Sequence, residues 1–114
     1  MESLMWIMIS GPYATGAADR AARAANLAAL NRAALEVWRK GHVPVIGVNL
    51  ALPVIEQAGP EHYDAIMLPL SLALAERCDA CLRIGGASAG ADREAELFRA
   101  KGKPVYRALK EILP

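Results

Sequence analysis

The stretch "DACLRIGGASAGADREAELFRAKGKPVYRAL", Asp79 to Leu109, contains a short apolar run, a glycine pair, an Ala- and Glu-rich segment, a lone glycine and a second apolar run. The first run reads as a strand, Ala89 to Lys101 as a helix stopped at Gly102, and "KPVYRAL" as the next strand. Strand, helix and strand at this spacing form a βαβ unit, which predicts parallel pairing and a right-handed crossover.

The same alternation runs upstream. "LMWIMIS" (Leu4 to Ser10), closed by Gly11-Pro12, is the continuous apolar run of a strand covered on both faces. From about Ala18 to Lys40 the chain is Ala/Leu-rich, lacks Gly and Pro, and stops at Gly41, as a long helix does. "HVPVIGV" reads as a second strand, with Pro44 favouring an edge position. Pro53, Gly59 and Pro60 predict short helical turns and loop for "NLALPVIEQAGPEHY". Ala65 to Arg77 reads as a helix interrupted or started at Pro69. The expectation is one α/β domain over residues 1–114 with about four parallel strands, Leu4 to Ser10 and Asp79 to Ile84 being the central pair.

Thirteen basic against twelve acidic residues give a formal net charge of +1, so no global field draws a nucleic-acid polymer or an anionic membrane. No apolar run approaches the roughly 20 residues that span a bilayer. "MESLMWIMISGP" carries an acidic residue where a signal peptide carries basic ones, so a cytoplasmic location is expected. A hydrophobic share of 54% in 114 residues implies apolar surface buried between subunits. A homodimer or homotetramer is expected, with the apolar segment Val48 to Leu74 lining a symmetric interface.

Cys78 and Cys81 form a lone CxxC with no second pair to complete a zinc site, and read as buried free thiols. Neither His42 nor His62 belongs to a metal-ligand spacing, and Asp79 stands at the amino end of its strand. No metal and no cofactor is expected; Walker, GxGxxG, HExxH and GxSxG patterns are all missing from the sequence.

Parallel α/β sheets bind ligands beyond the carboxyl ends of their strands. That rule selects the loops Gly11 to Gly16 and Gly85 to Gly90. On the helix after strand three, Ala91, Glu94, Ala95 and Phe98 share one face at about 100° per residue. Asp92 and Glu96 are ordinary acidic residues near a helix N-terminus, favoured by its dipole. Glu94 is different, because a carboxylate on a core-facing stripe needs a partner or an open cavity. Ser88 suits the N-cap, which leaves its hydroxyl at the crevice mouth. Tyr13 follows the Gly11-Pro12 turn closely enough to project into the same crevice. On the first helix Leu27, Leu30, Ala34 and Trp38 form the inward stripe, and Arg20 and Arg23 share its azimuth. Both arginines should reach past the end of strand one, towards solvent, a phosphate or another subunit.

"ISGPY", "GHVP", "CDACLRIGG" and "SAGADREAELFRAKGKPVY" together resemble the nucleoside 2-deoxyribosyltransferase-like superfamily, most closely its small DUF4406 branch. The resemblance runs from strand one to strand four, and its most specific piece is Ser88-x-Gly90-x-x-x-Glu94 followed by Gly102-Lys103-Pro104-Val105. It implies a Rossmann-like (flavodoxin-like) three-layer sandwich with a parallel sheet of about four to five strands. It implies Glu94 as nucleophile on the anomeric carbon of a nucleoside or its 5′-monophosphate, with Tyr13 orienting it. Ser10, Gly11, Gly16, Gly85, Gly86, Ser88 and Gly90 would lie against the sugar or phosphate, and Arg20 and Arg23 would favour the phosphate. The implied reaction is a double displacement through a glycosyl ester with net retention, ending in hydrolysis or transfer to a second base. Active relatives carry an aspartate in the helix before strand three, whereas Met67 to Leu74 holds no carboxylate; Asp64 and Glu76 flank the gap, and a neighbouring subunit is a further source. The alternative is a catalytically inactive nucleotide-binding module of the same fold. An N-glycosidase of the cytokinin-riboside-phosphate type is a third comparison, whose double-glycine, threonine and paired-glutamate pattern this chain does not reproduce.

Overall fold

A computed structural model describes residues 3–14 and 16–114; Met1, Glu2 and Thr15, the last within the Gly11 to Gly16 loop, lie outside the described residues. Strand β1 (Trp6–Ser10) is followed by helix α1 (Arg20–Arg39), strand β2 (Val43–Val45), helices α2 (Gly47–Ala58) and α3 (Tyr63–Ala75), strand β3 (Ala80–Arg83), helix α4 (Ala89–Ala100) and strand β4 (Val105–Tyr106). All three strand pairings are parallel, in the order β2-β1-β3-β4. The fold is therefore α/β and Rossmann-like, and β1 and β3 are the central pair, as the apolar runs predict. Pro44 sits on an edge strand, where its missing N–H costs no ladder bond on the open side.

Alternation along β1 divides the core into two layers. Ile7 and Ile9 pack with Leu30, Ala33 and Val37 of α1, with Leu82 and with Ile112 of the C-terminal turn. Met8 faces the other way, against Cys81, Cys78, Ala75 and the Ala95–Phe98 face of α4. Because the side-chain period of a strand is 2, Ser10 falls on the same face as Met8. Both cysteines are free and buried. At the amino ends of the strands, Asp79 accepts a 2.8 Å hydrogen bond from the Trp6 N–H. His42 accepts one of 3.1 Å from the Met5 N–H and contacts the Leu113 carbonyl at 2.7 Å. Both residues stitch the sheet at the end away from the crevice.

Three expectations need correction. Gly47–Ala58 is a regular helix with Pro53 inside it, where turns and loop were expected. Likewise α3 begins at Tyr63 and continues through Pro69. Both prolines lie on exposed faces, so water can satisfy the carbonyl each leaves without a donor, while buried Ala51, Ile55, Ser71 and Ala75 hold the opposite faces. Finally, the inward stripe of α1 is Leu30, Ala33 and Val37, whereas Trp38 is 64% exposed. Trp38 follows buried Val37 by one residue, about 100° round the helix, which carries it off the face that packs on the sheet. Helix α1 itself starts at Arg20, capped by the Asp19 carboxylate accepting from the Ala22 N–H at 2.9 Å.

Where α2 meets α3, a Cβ placed on Gly47 would collide with the Ser71 side chain and lie 3.3 Å from its Cα. At Gly86 an added Cβ would meet nothing within 4 Å. Gly47→Ala is thus expected to destabilise the fold by about 1–3 kcal/mol through overpacking, and Gly86→Ala to stay within about 0.5 kcal/mol of wild type, as read by urea unfolding.

Candidate functional site

The sheet order reverses between β1 and β3, and the crevice opens there beyond their carboxyl ends. The last pair in register is Ser10 with Arg83. Gly11 continues β1 into the crevice under a strict spatial limit: a Cβ there would lie 2.8 Å from the Ile84 carbonyl oxygen and 2.9 Å from Leu30 Cδ2. Asn26 of α1 holds the following loop by donating to the Tyr13 carbonyl at 2.7 Å.

A cavity of about 400 Å³ occupies this position. Its polar side chains are Tyr13, Tyr63, Asp64, Ser71, Ser88 and Glu94, and Val48, Met67 and Leu68 supply its apolar wall. Gly11, Ala14, Gly90 and Ala91 complete the lining. Tyr13 and the Ser88, Gly90 and Glu94 set, picked out from two distant parts of the sequence, therefore meet around one space.

Glu94 lies on the inner face of α4 with buried Ala91, Ala95 and Phe98. Burial pushes its carboxyl above the ordinary glutamate range, against opposing hydrogen bonds from the Ser10 and Ser71 hydroxyls and the nearby positive charge of Arg83. Its hydrogen-bond partners are thus two serines; among the described residues no direct hydrogen bond joins it to Tyr13. Ser10 is 1% exposed, so it serves the carboxyl of Glu94 from beneath, and its Oγ also accepts from the Cys81 thiol at 3.5 Å. Burial raises that thiol to about 11, which keeps it a protonated donor at neutral pH.

Ser88 caps α4, its Oγ accepting from the Ala91 N–H at 3.2 Å, which leaves its own proton for the cavity. Gly85 and Gly86 do not line the cavity. Gly85 has φ +79°, and a Cβ there would lie 2.8 Å from Pro12 Cδ, so its glycine lets the two crevice loops pack against each other. Gly86 presents its carbonyl to Arg83 at 2.9 Å. Gly16 has φ +72° and is exposed, and Arg20 is exposed on the first turn of α1; neither borders the cavity.

Arg23 borders a second cavity of about 390 Å³, which shares Tyr13, Ala14 and Tyr63 with the first. Burial raises the Tyr63 phenol above its ordinary range, followed by the adjacent Tyr13 phenol, and Arg23 opposes the shift. Of the two flanking carboxylates, Asp64 lines the main cavity, whereas Glu76 lies at the far end of α3 beside Lys101 at 3.8 Å.

Sequence reasoning missed Ser71, Tyr63 and Arg83. Two of them left a signal: Ser71 interrupts the apolar run Met67–Ala75, and Arg83 is a charge inside an otherwise apolar strand. Among the described residues no group of His, Cys, Asp and Glu is arranged to hold a metal ion, and no helix is long and apolar enough to cross a membrane. No family model matches the chain, and no match was found among curated proteins.

The raised proton affinity of Glu94 carries a stability consequence of definite sign. With its folded-state value above the unfolded one, the folded state binds more protons between the two, so stability falls as pH rises through that window. Glu94→Gln is therefore expected to raise the unfolding midpoint at pH 7 and to lose that advantage as pH falls below the ordinary glutamate range. Thermal unfolding across pH 4 to 8 checks it, and an amide variant less stable than wild type at neutral pH would contradict the assignment of burial as the main cause.

Proposed function

We propose that this domain cleaves, or transfers across, the N-glycosidic bond of a (deoxy)nucleoside 5′-monophosphate, with Glu94 as nucleophile. The observation that carries the reading is a half-buried carboxylate held by two hydroxyl donors, facing a second carboxyl, Asp64, across one cavity. The resemblance noted from the sequence supports the same chemistry.

In the first step a Glu94 oxygen bonds to C1′ as the C1′–N bond breaks, and the departing base takes the proton it needs from Asp64. Water, giving its proton back to Asp64, then attacks C1′ and frees Glu94 as carboxylate; a second base in place of water completes a transfer. Two inversions give net retention. Asp64 stands three residues before the carboxylate-free stretch Met67 to Leu74, and its place on the cavity wall supports giving it this role. Tyr13 and Ser88 border the cavity where sugar hydroxyls would lie, and the apolar wall of Val48, Met67 and Leu68 suits the flat base. Arg23, on the adjoining cavity, supplies the charge for a 5′-phosphate.

A cytoplasmic homodimer or homotetramer belongs to the same proposal. Its support is Leu50 and Val54, one turn apart on α2 and 51% and 47% exposed.

The test is release of free base from deoxynucleoside monophosphates, followed by chromatography. Glu94→Ala is expected to lower release by at least about 10³-fold, and Asp64→Asn by about 10²-fold or more, with the fold intact. Arg23→Ala should raise KM for nucleotides by about tenfold and leave nucleosides unaffected. Wild-type protein that releases no base, yet binds a nucleotide in calorimetry, identifies the binding module instead. Neither release nor binding removes both readings.

A further inference from the structure

Helix α2 gives one apolar edge to both cavities beyond the sheet. Val48 borders the first, Leu52 and Ile55 border the second, and their spacing of four and then three residues sets all three on one helix face. At the rise of an α-helix, that edge is about 10 Å long. Tyr13, Ala14 and Tyr63 line both cavities, so the two spaces meet along these residues.

The second cavity is larger than a phosphate needs. Its volume of about 390 Å³ falls within the roughly 300–1,000 Å³ that take a ligand of drug size. One cation, Arg23, and two phenols, Tyr13 and Tyr63, stand there against the apolar Leu52, Ile55 and Pro60. Among the described residues no ion pair includes Arg23. Burial keeps the nearby Tyr63 phenol protonated, as a neutral donor. A phosphate monoester carries close to two negative charges near neutral pH, which a single guanidinium leaves half unmatched. A phosphodiester carries one. Its second ester group then has an apolar wall and two aromatic rings to pack on.

We propose that the substrate spans both cavities and is a nucleoside 5′-phosphodiester, with base and sugar in the first cavity, the phosphate charge at Arg23, and a planar apolar ester group in the second cavity against Leu52 and Ile55. This rests on the nucleotide reading of the first cavity and extends it: the same glycosidic bond meets Glu94, and the monoester is the poorer of the two ligands. Leu52 is the residue that sets the preference, because it is half-buried on α2 and borders only the second cavity.

The experiment is calorimetric binding to Glu94→Gln protein, which holds ligands without turnover. The probes are the 5′-monophosphates of the four common deoxynucleosides and the methyl and phenyl esters of each phosphate. For the base that binds best, the phenyl ester should bind about tenfold more tightly than the methyl ester, and more tightly than the monophosphate. Leu52→Ser, added to Glu94→Gln, should bring the phenyl-to-methyl ratio close to one. A phenyl ester that binds no better than the methyl ester or the monophosphate overturns the proposal, as does a preference that survives Leu52→Ser. Should that variant not fold, nuclear Overhauser contacts decide in Glu94→Gln protein: phenyl protons close to the Leu52 and Ile55 methyl groups support the proposal, and phenyl protons close only to Val48, Met67 or Leu68 overturn it by placing the ring in the first cavity. Failure of this inference is distinct from failure of the reading beneath it. Base release by wild type without the phenyl preference removes only the diester, the preference without base release removes only the nucleophile, and no binding of any probe removes both.

Discussion

The parallel ladder between β1 and β3 is the constraint from which the rest of the molecule follows. Its register brings Ser10 level with Arg83 at the last paired position. Since strand side chains alternate, a slip of one residue would turn Ser10 into the α1 layer and bring Ile9 to the crevice in its place. The loops that leave the two strands are equally constrained. Gly11 passes between the Ile84 carbonyl and Leu30, and Gly85 allows Pro12 to pack on it. Neither position has room for a side chain, so the crevice is shaped by glycine backbone packed against the Ile84 carbonyl, Leu30 and the Pro12 ring before any functional group enters it.

Into that frame α4 delivers a carboxylate where desolvation opposes its charge. Burial acts first, and two serine hydroxyls and one guanidinium act against it. Compared with Asp92, two residues earlier and in water, Glu94 is the costly placement of the two. A fold selected for stability alone would place an apolar residue on that stripe among Ala91, Ala95 and Phe98. The two hydroxyls come from β1 and α3 and the positive charge from β3, so three separate segments are arranged around one side chain. Such convergence on an unfavourable charge is what singles out this crevice as the candidate site.

The parts of this arrangement legible in the sequence are those set by local rules. Apolar runs identified β1 and β3, a capping serine and a glycine stop bounded α4, and helical spacing turned Glu94 inward. The parts that escaped depend on tertiary contact. Pro53 and Pro69 read as breaks because an isolated helix loses by them, yet packing of α2 against α3 overrides that local cost. Trp38 read as core by its period, whereas the face that α1 buries against the sheet is centred on Leu30, Ala33 and Val37. Gly85 was legible as a required glycine, and the structure gives two local reasons for it, a φ of +79° and the ring of Pro12.

Helix α3 shows how a segment with little local signal completes the site. Tyr63 and Asp64, Met67 and Leu68, and Ser71 fall at successive turns and line the same cavity. Along that face the chemistry runs from polar through apolar to polar. Ser71 ends it beneath Glu94, held there by Gly47 of α2, while Asp64 begins it near Tyr13 and Tyr63. The face exists only because the helix continues through Pro69: a helix starting at that proline would keep Ser71 and lose Asp64, and with it the second carboxyl of the cavity. The continuity of α3, sustained by packing against α2 and α4, is thus what joins the two halves of the site.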